Sequence, residues 1–199
     1  MKRVGVLAIQ GDYEAHAKAL ARAGAEAELV LWPKQLAALD ALILPGGEST
    51  TIAKGLARLA LYEPLRERIR EGMPVLGTCA GAILLAARVE NRPVETLGVL
   101  DATAVRNAYG TQVDSFAAPV DAGAAPALAG LRCVFIRAPR LKDLGPEVEV
   151  LARVDGAPVL VRQGNVFAAT FHSEITRDDR VHRLLIEAAA TREERQTPR

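Results

Sequence analysis

Residues 74–86 leave this chain few ways to fold. Pro74-Val75-Leu76 is a short apolar run of the kind that fills a buried strand, and Ala82-Ile83-Leu84-Leu85-Ala86 reads as an apolar helix. Between them lies Gly77-Thr78-Cys79-Ala80-Gly81, a tight glycine-flanked turn with a cysteine at its centre. A chain that leaves a strand and enters a helix through such a turn presses the two elements together, and the glycines remove the side chains that would hold them apart. The central side chain is pushed outward. The first N–H groups of the helix lie beside it, where a developing negative charge is stabilised. With sulfur at the apex, this is a nucleophile-elbow layout suited to acyl transfer.

The rest of the N-terminal half keeps a matching rhythm. Val4-Gly5-Val6-Leu7-Ala8-Ile9 reads as a buried parallel strand. Asp12 is placed to cap a helix that carries Tyr13, Ala17, Leu20 and Ala21 and stops at Gly24. Strands are expected at 28–31 and 41–44, the second ended by Pro45-Gly46-Gly47, with a helical pattern from Ser49 to about Arg70 broken near Pro64. The order β-α-β-β-α-β-α predicts a sheet with helices on both faces. After about residue 94, β-like runs follow at 98–106, 112–120, 132–136, 147–154, 157–162 and 165–171. Several are close enough to be antiparallel neighbours, and Gln163-Gly164-Asn165 reads as a hairpin turn. Residues 122–130 are a loop or a short weak helix. A last helix is expected from Thr176, where Thr176 and Asp179 have capping-box spacing and Val181, Leu184, Leu185 and Ala188 form an apolar stripe. Residues 1–190 read as one domain, and 191–199 as a charged, frayed tail.

Composition narrows the function classes. A chain of 199 residues, half of them hydrophobic, suits a single core. A formal net charge of +1 gives no electrostatic reason to expect nucleic acid or an anionic membrane as partner. Cys79 and Cys133 are too few for a disulfide framework, so a reducing, cytoplasmic setting is expected. Residues 4–9 are too short for the apolar region of a signal peptide, and no run approaches the roughly 20 apolar residues of a membrane span.

A cysteine attacks as thiolate, which a nearby histidine and a helix N-terminus both favour. Three histidines are available. His16 and His182 fall inside expected helices and read as surface or packing residues, whereas His172 ends the apolar run 166–171 and precedes Ser173 and Glu174. Side chains two apart on extended backbone point the same way, which would let Glu174 hold the ring of His172 as the third member of a triad. Each feature also has a plainer reading. A lone cysteine after a strand is more often a small buried hydrophobe, and Cys133 keeps that reading. His-x-Glu pairs occur on solvated surfaces, Gly46-Gly47 alone is an ordinary turn, and Arg106 and Arg137 read equally as surface charges. Together, though, Pro45-Gly46-Gly47-Glu48-Ser49-Thr50-Thr51 offers inward-turned N–H groups beside the elbow, with Ser49 able to cap the next helix. No lysine followed by serine or threonine stands at the spacing of a Walker phosphate loop. An α/β-hydrolase would place its acid before the histidine, and here the acid follows by two residues. A non-catalytic relative should lack one of Cys79, His172 or Glu174, and all three are present.

Gly77-Thr78-Cys79-Ala80-Gly81 with His172-x-Glu174 resembles the class I, triad-type glutamine amidotransferases. Finer matches are Leu7-Ala8-Ile9-Gln10-Gly11-Asp12, Pro45-Gly46-Gly47-Glu48-Ser49-Thr50, Arg106-Asn107-Ala108-Tyr109-Gly110, Asp114-Ser115-Phe116, Phe135-Ile136-Arg137-Ala138-Pro139 and Ala169-Thr170-Phe171-His172. These resemble one branch, the glutaminase subunits of pyridoxal 5′-phosphate synthase, over nearly the whole chain. The resemblance implies an α/β fold: a three-layer α/β/α flavodoxin-like sheet, mostly parallel with added antiparallel strands. It also implies hydrolysis of L-glutamine to glutamate and ammonia, without cofactor or metal. The ammonia would pass to a synthase subunit, a (β/α)8 barrel, in a large hetero-oligomeric assembly. Cys79 would form a glutamyl thioester, His172 would move the protons, and Glu174 would orient it. Gly47 and Ala80 would form the oxyanion hole. Gly47, Glu48, Ser49, Arg106, Ile136 and Arg137 would line the glutamine pocket, with Gln10 near the active site and partner contact. Ser173 stands where this branch commonly has proline, which leaves the turn between His172 and Glu174 unstiffened.

Overall fold

The computed structural model describes residues 1–106, 115–123 and 125–196. Its first part runs β1 (Arg3–Leu7), α1 (Tyr13–Ala23), β2 (Glu26–Val30), β3 (Ala41–Leu44), α2 (Ser49–Arg58), α3 (Tyr62–Arg70), β4 (Val75–Thr78) and α4 (Ala80–Leu85). There follow β5 (Ala86–Glu90), β6 (Leu100–Val105), β7 (Phe116–Pro119), β8 (Arg132–Phe135), β9 (Arg140–Lys142), β10 (Glu149–Val154), β11 (Ala157–Gln163), β12 (Val166–Ala169) and α5 (Arg180–Gln196). Seven strands make one sheet in the order β10-β11-β12-β4-β3-β1-β2. From β12 to β2 the neighbours are parallel, and β10, β11 and β12 pair antiparallel. The winding β2-β1-β3-β4-β12 is flavodoxin-like, and such sheets bind ligands outside the carboxyl ends of their strands.

The central strands alternate between two cores, as a period of two requires. Val4, Val6, Ile43, Leu76 and Phe167 face Leu20 of α1 and Val181 and Leu185 of α5. Leu42, Leu44, Val75 and Val166 face Ile52 and Leu56 of α2, Leu65 and Ile69 of α3, and Leu84 of α4. Each such side chain, fully buried, is worth about 1.5–3 kcal/mol of transfer free energy, so both faces are committed and three layers result. Gln163-Gly164-Asn165 turns β11 into β12, with Gln163 opposite Val166 and Gly164 at a φ of 57°.

Several expectations needed correction. Asp12 occupies the N-cap of α1 without a side-chain cap bond; its carbonyl instead accepts from the N–H groups of Ala15 and His16. Glu48, not Ser49, caps α2, accepting from Thr50 N at 3.1 Å and Thr51 N at 2.7 Å. The break after α2 falls at Leu59–Leu61, where Ala60 has a φ of 52°, and Pro64 sits in the first turn of α3, where a missing N–H costs little. The apolar helix after the elbow ends at Leu85, and Ala86 opens β5, which pairs with β6 in a small separate sheet completed by β9. Strand pairing there overrides the local helical pattern. α5 begins at Arg180, not Thr176. The Thr176 hydroxyl donates to Ser173 O at 3.1 Å, while Asp179 is held by Arg22 Nη2 at 2.6 Å, so the capping box does not close. α5 then continues to Gln196, through most of the stretch expected to fray. Of the expected strand at 112–120, residues 112–114 lie outside the described residues. Among the described residues, no helix is long and apolar enough to cross a membrane.

Candidate active site

Four strand ends meet at the site: β1 leads to Gln10, β3 to Gly46-Gly47, β4 to Cys79, and β12 to His172. Cys79 is the N-cap of α4 at φ 49° and ψ −104°, a left-handed conformation that non-glycine residues avoid. The surrounding packing enforces it. A Cβ on Gly81 would lie 1.9 Å from the Leu44 carbonyl oxygen, and one on Gly77 would lie 2.5 Å from the Gly81 carbonyl carbon. The Cys79 N–H donates to Ala169 O at 2.8 Å, so the elbow is locked to the end of β12.

Beyond Ala169 the backbone leaves the sheet. Thr170 N donates to Val159 O at 2.9 Å, and His172 N to Val134 O at 2.8 Å, an isolated bridge to β8. The extended-strand argument for Glu174 therefore does not hold, yet the pairing it anticipated is present: His172 Nδ1 lies 2.6 Å from Glu174 Oε1. Both residues are buried, with 5% of His172 and 4% of Glu174 exposed. Burial alone would lower the pKa of the ring, but hydrogen bonding to the Cys79 thiol and to Glu174 outweighs it, and the pKa is pushed up to about 10. A ring biased in this way toward its protonated form suits the thiolate–imidazolium pairing through which a cysteine attacks.

These groups open into a cavity of about 280 Å³. It is lined by Gln10, Gly47, Glu48, Ser49, Cys79, Ala80, Arg106, Ile136, Arg137 and His172, together with Asp12 and Ile83. Every residue assigned to the site from sequence is thus in its wall except Glu174, which stands behind His172. The rim is cross-braced. Arg106 Nη2 donates to Glu48 Oε1 at 3.2 Å and to Thr50 Oγ1 at 3.2 Å, and Arg106 Nη1 donates to Arg92 O at 3.0 Å. Burial pushes the Glu48 pKa up, but the N–H groups of Thr50 and Thr51 outweigh it and hold the carboxyl below its usual range. Glu48 N donates to Gln10 Oε1 at 2.7 Å, which ties the Gly46-Gly47 loop to the segment that follows β1. The Ile136 carbonyl lies 3.9 Å from Cys79 Sγ, and Arg137 next to it has a φ of 45°. Residues 107–110 and 114 of the sequence motifs lie outside the described residues.

The structure also brings together groups whose meeting had no signal in the sequence. Asp12, His172 and Glu174 each bring a ligand-type atom within 4.8 Å of one another, a grouping that could hold a cation. The 2.6 Å bond already commits His172 Nδ1 and Glu174 Oε1 to each other, which suits a catalytic pair. Thr78, fully buried, accepts from Gly46 N at 3.1 Å. His16 and His182, read as surface or packing residues, are both wholly buried and 3.0 Å apart at Nδ1 and Nε2. A helical period places such residues on an inner face but does not say which polar groups meet there.

Known proteins with this sequence pattern and fold are consistent with the geometry. A pyridoxal 5′-phosphate synthase subunit PdxT from Thermotoga petrophila is 51% identical over 187 residues, covering 93% of this chain and 98% of the relative. One of the same name from Mycolicibacterium smegmatis is 50% identical over 194 residues, covering 93% and 97%. A crystal structure of a glutamine amidotransferase superimposes with a TM-score of 0.89 at 48% identity, covering 94% of this chain and 98% of that one. The PurLQS structure from Thermotoga maritima, at 18% identity and a TM-score of 0.67 over 96% of this chain and 99% of its own, shares the fold alone. Residues 6–191 match a single family across the elbow, the glycine loop and the His-x-Glu turn, and the chain belongs to the SNO glutamine amidotransferase family.

Proposed function

We propose that this protein hydrolyses L-glutamine to glutamate and ammonia and delivers the ammonia to a synthase subunit that makes pyridoxal 5′-phosphate. The observation that carries the chemistry is the gathering of Cys79 and His172 in the wall of one cavity, with Nδ1 of the ring 2.6 Å from Glu174 Oε1 behind it. Cys79 Sγ attacks the side-chain amide carbon, and the carbonyl oxygen becomes an oxyanion held by the N–H groups of Gly47 and Ala80. As the tetrahedral adduct collapses, the C–N bond breaks and His172 gives its proton to the departing ammonia, leaving a glutamyl thioester. His172 then takes a proton from water, whose oxygen attacks the thioester; collapse releases glutamate and restores the thiolate–imidazolium pair. Glu174 keeps Nδ1 of the ring protonated and faces Nε2 toward sulfur and substrate.

The cavity suits an amino acid. Arg137 and the Arg106–Glu48 pair on its wall offer charges of both signs to an α-carboxylate and an α-ammonium. Ser49 and the Ile136 carbonyl add a donor and an acceptor. Glutamate release from glutamine, with and without Cys79→Ala, tests this reading. A variant that hydrolyses glutamine as fast as the parent would remove it.

The lone subunit is a weak glutaminase in this proposal. Its oxyanion loop is held through the Glu48 N–H bond to Gln10, so a partner that pulls on Gln10 can turn the Gly46-Gly47 peptide toward the substrate. The synthase subunit, a (β/α)8 barrel in a large hetero-oligomeric assembly, is that partner. Equal turnover by the isolated chain and by its mixture with synthase would rule the gating out.

A further inference from the structure

Behind the triad lies a buried polar chain that the mechanism above does not use. His16, on the inner face of α1, places Nε2 3.0 Å from Thr78 Oγ1 and 3.4 Å from Glu174 Oε2. Its Nδ1 lies 3.0 Å from His182 Nε2 on α5, with the two rings 5.2 Å apart and tilted by 53°. His16 therefore touches both the residue before the nucleophile and the far side of the triad's acid. The acid needs such a contact. Its side chain is fully buried, Oε1 is spent on His172, and among the described residues Oε2 has no aligned hydrogen bond. The 3.4 Å approach of His16 is the contact it does have, and small movements in a liganded complex tighten such contacts. The neighbouring Ser173 hydroxyl gives the carboxylate no help, since it too is buried and makes no hydrogen bond among the described residues.

The tautomers follow from the partners. If His182 Nε2–H donates to His16 Nδ1, then His16 Nε2–H faces Thr78 Oγ1 and Glu174 Oε2, and only a lone pair on His182 Nδ1 is left unpaired. The reverse assignment would aim a His16 lone pair at the carboxylate and strand a buried N–H on His182. That is the costlier state. Both rings are neutral. Burial is the main cause, lowering His16 well below the ordinary value and His182 to about 4. The charged groups around the chain are His172, Glu174 and Asp12 on the active-site side, and Asp179 and Arg22 beside His182.

Resting on the triad reading above, we infer that His16, backed by His182, is a positioning residue. Its Nε2–H holds the second carboxylate oxygen of Glu174 and the hydroxyl of Thr78, which fixes the plane in which Glu174 presents Oε1 to His172. A pair of histidines that merely fastened α1 to α5 would affect melting alone.

The test uses the complex with the synthase subunit and measures glutamine turnover, its pH profile and the melting temperature. His16→Leu should lower kcat by roughly tenfold to a hundredfold with KM nearly unchanged, the scale of losing an outer partner that orients a catalytic group. It should also move the alkaline limb of kcat/KM toward lower pH, because His172 loses a fixed carboxylate. His16→Gln, which keeps a donor near Nε2, should recover most of kcat and restore the limb. His16→Asn, whose amide falls at the Nδ1 position and cannot reach Glu174, should not. A folded His16→Leu complex with parental kcat and pH profile overturns the inference. So does equal impairment of the Gln and Asn variants, the comparison that decides if the Leu variant fails to fold. Cys79→Ala in the same assay separates the two claims: activity retained there removes the triad reading itself, whereas activity lost there with His16→Leu unaffected removes only the positioning role.

Discussion

Cys79 and His172, the proposed nucleophile and its proposed base, are held by unlike parts of the molecule. Cys79 sits where a parallel strand of the main sheet turns into α4, and its position is dictated by backbone: a positive φ, two glycines packed against carbonyl groups, and a 2.8 Å N–H bond to the neighbouring strand. His172 lies past the end of β12, where the chain has left the sheet for a single bridge to β8. Side-chain bonds set its ring, above all the 2.6 Å contact with Glu174. The glycine-flanked bend of the first kind can be read along the chain, although the carbonyls it packs and bonds against belong to distant strands. The second kind rests on side-chain bonds, to Glu174 two residues on and to Cys79 far away in sequence, and such bonds are the ones a partner or a substrate can retune.

Four substitutions or conditions press on this contrast. The largest effect should come from Cys79→Ala, with kcat falling by a factor on the order of 10^6 if the thiol is the nucleophile, as for removal of a triad nucleophile elsewhere. Glutamate formation by the purified complex measures it. Gly81→Ala should come next, because the new Cβ meets the Leu44 carbonyl, a backbone atom that cannot swing aside. A loss of at least about 1–3 kcal/mol is expected for such overpacking, read by chemical denaturation, with turnover falling as the elbow shifts. A normally stable and active variant would mean that the elbow is looser than its packing implies.

Arg106→Lys should be milder. Lysine cannot reproduce the fork that reaches Glu48, Thr50 and the Arg92 carbonyl, so KM for glutamine should rise by about tenfold, the worth of one hydrogen bond to a charged group, with kcat little changed. The last effect leaves turnover at neutral pH untouched and is confined to alkaline solution. The folded-state pKa of His172 is raised above its unfolded value near 6.5, so its contribution to stability is complete below that value and is lost as pH rises through about 10. The melting temperature of the parent should therefore decline over that window more than that of His172→Gln, and kcat/KM should fall on the same limb.

Much of the fold was legible because burial on two faces leaves a local trace. The run 41–44 is apolar throughout and 75–78 departs from that only at Thr78, as suits strands covered on both sides, and glycine and proline mark their ends. β5 was not legible. Ala86–Glu90 follows a helix of six residues without a breaker, and only pairing with β6 makes it a strand. The start of α5 was misread for a related reason: Thr176 and Asp179 have the right spacing, but Arg22 of α1 takes the carboxylate. The site shows the same division. The sequence pointed to Cys79, His172 and Glu174, and their gathering in space agrees with it. The bond between His172 and Glu174, however, arises from a turn rather than from extended backbone, and His16 and His182 gave no sign of meeting.

By itself, then, the amino-acid order determined the alternating strands, the strained bend that carries the cysteine and the identity of the residues able to do acyl chemistry, because apolar period and glycine placement act over a few neighbours. Tertiary structure alone decided that His172 leaves the sheet for a bridge to β8, that Arg22 takes the Asp179 carboxylate, and that two buried imidazoles stand behind Glu174. Those outcomes depend on burial and on hydrogen bonds between groups as far apart as residues 16 and 182, and no local pattern encodes them.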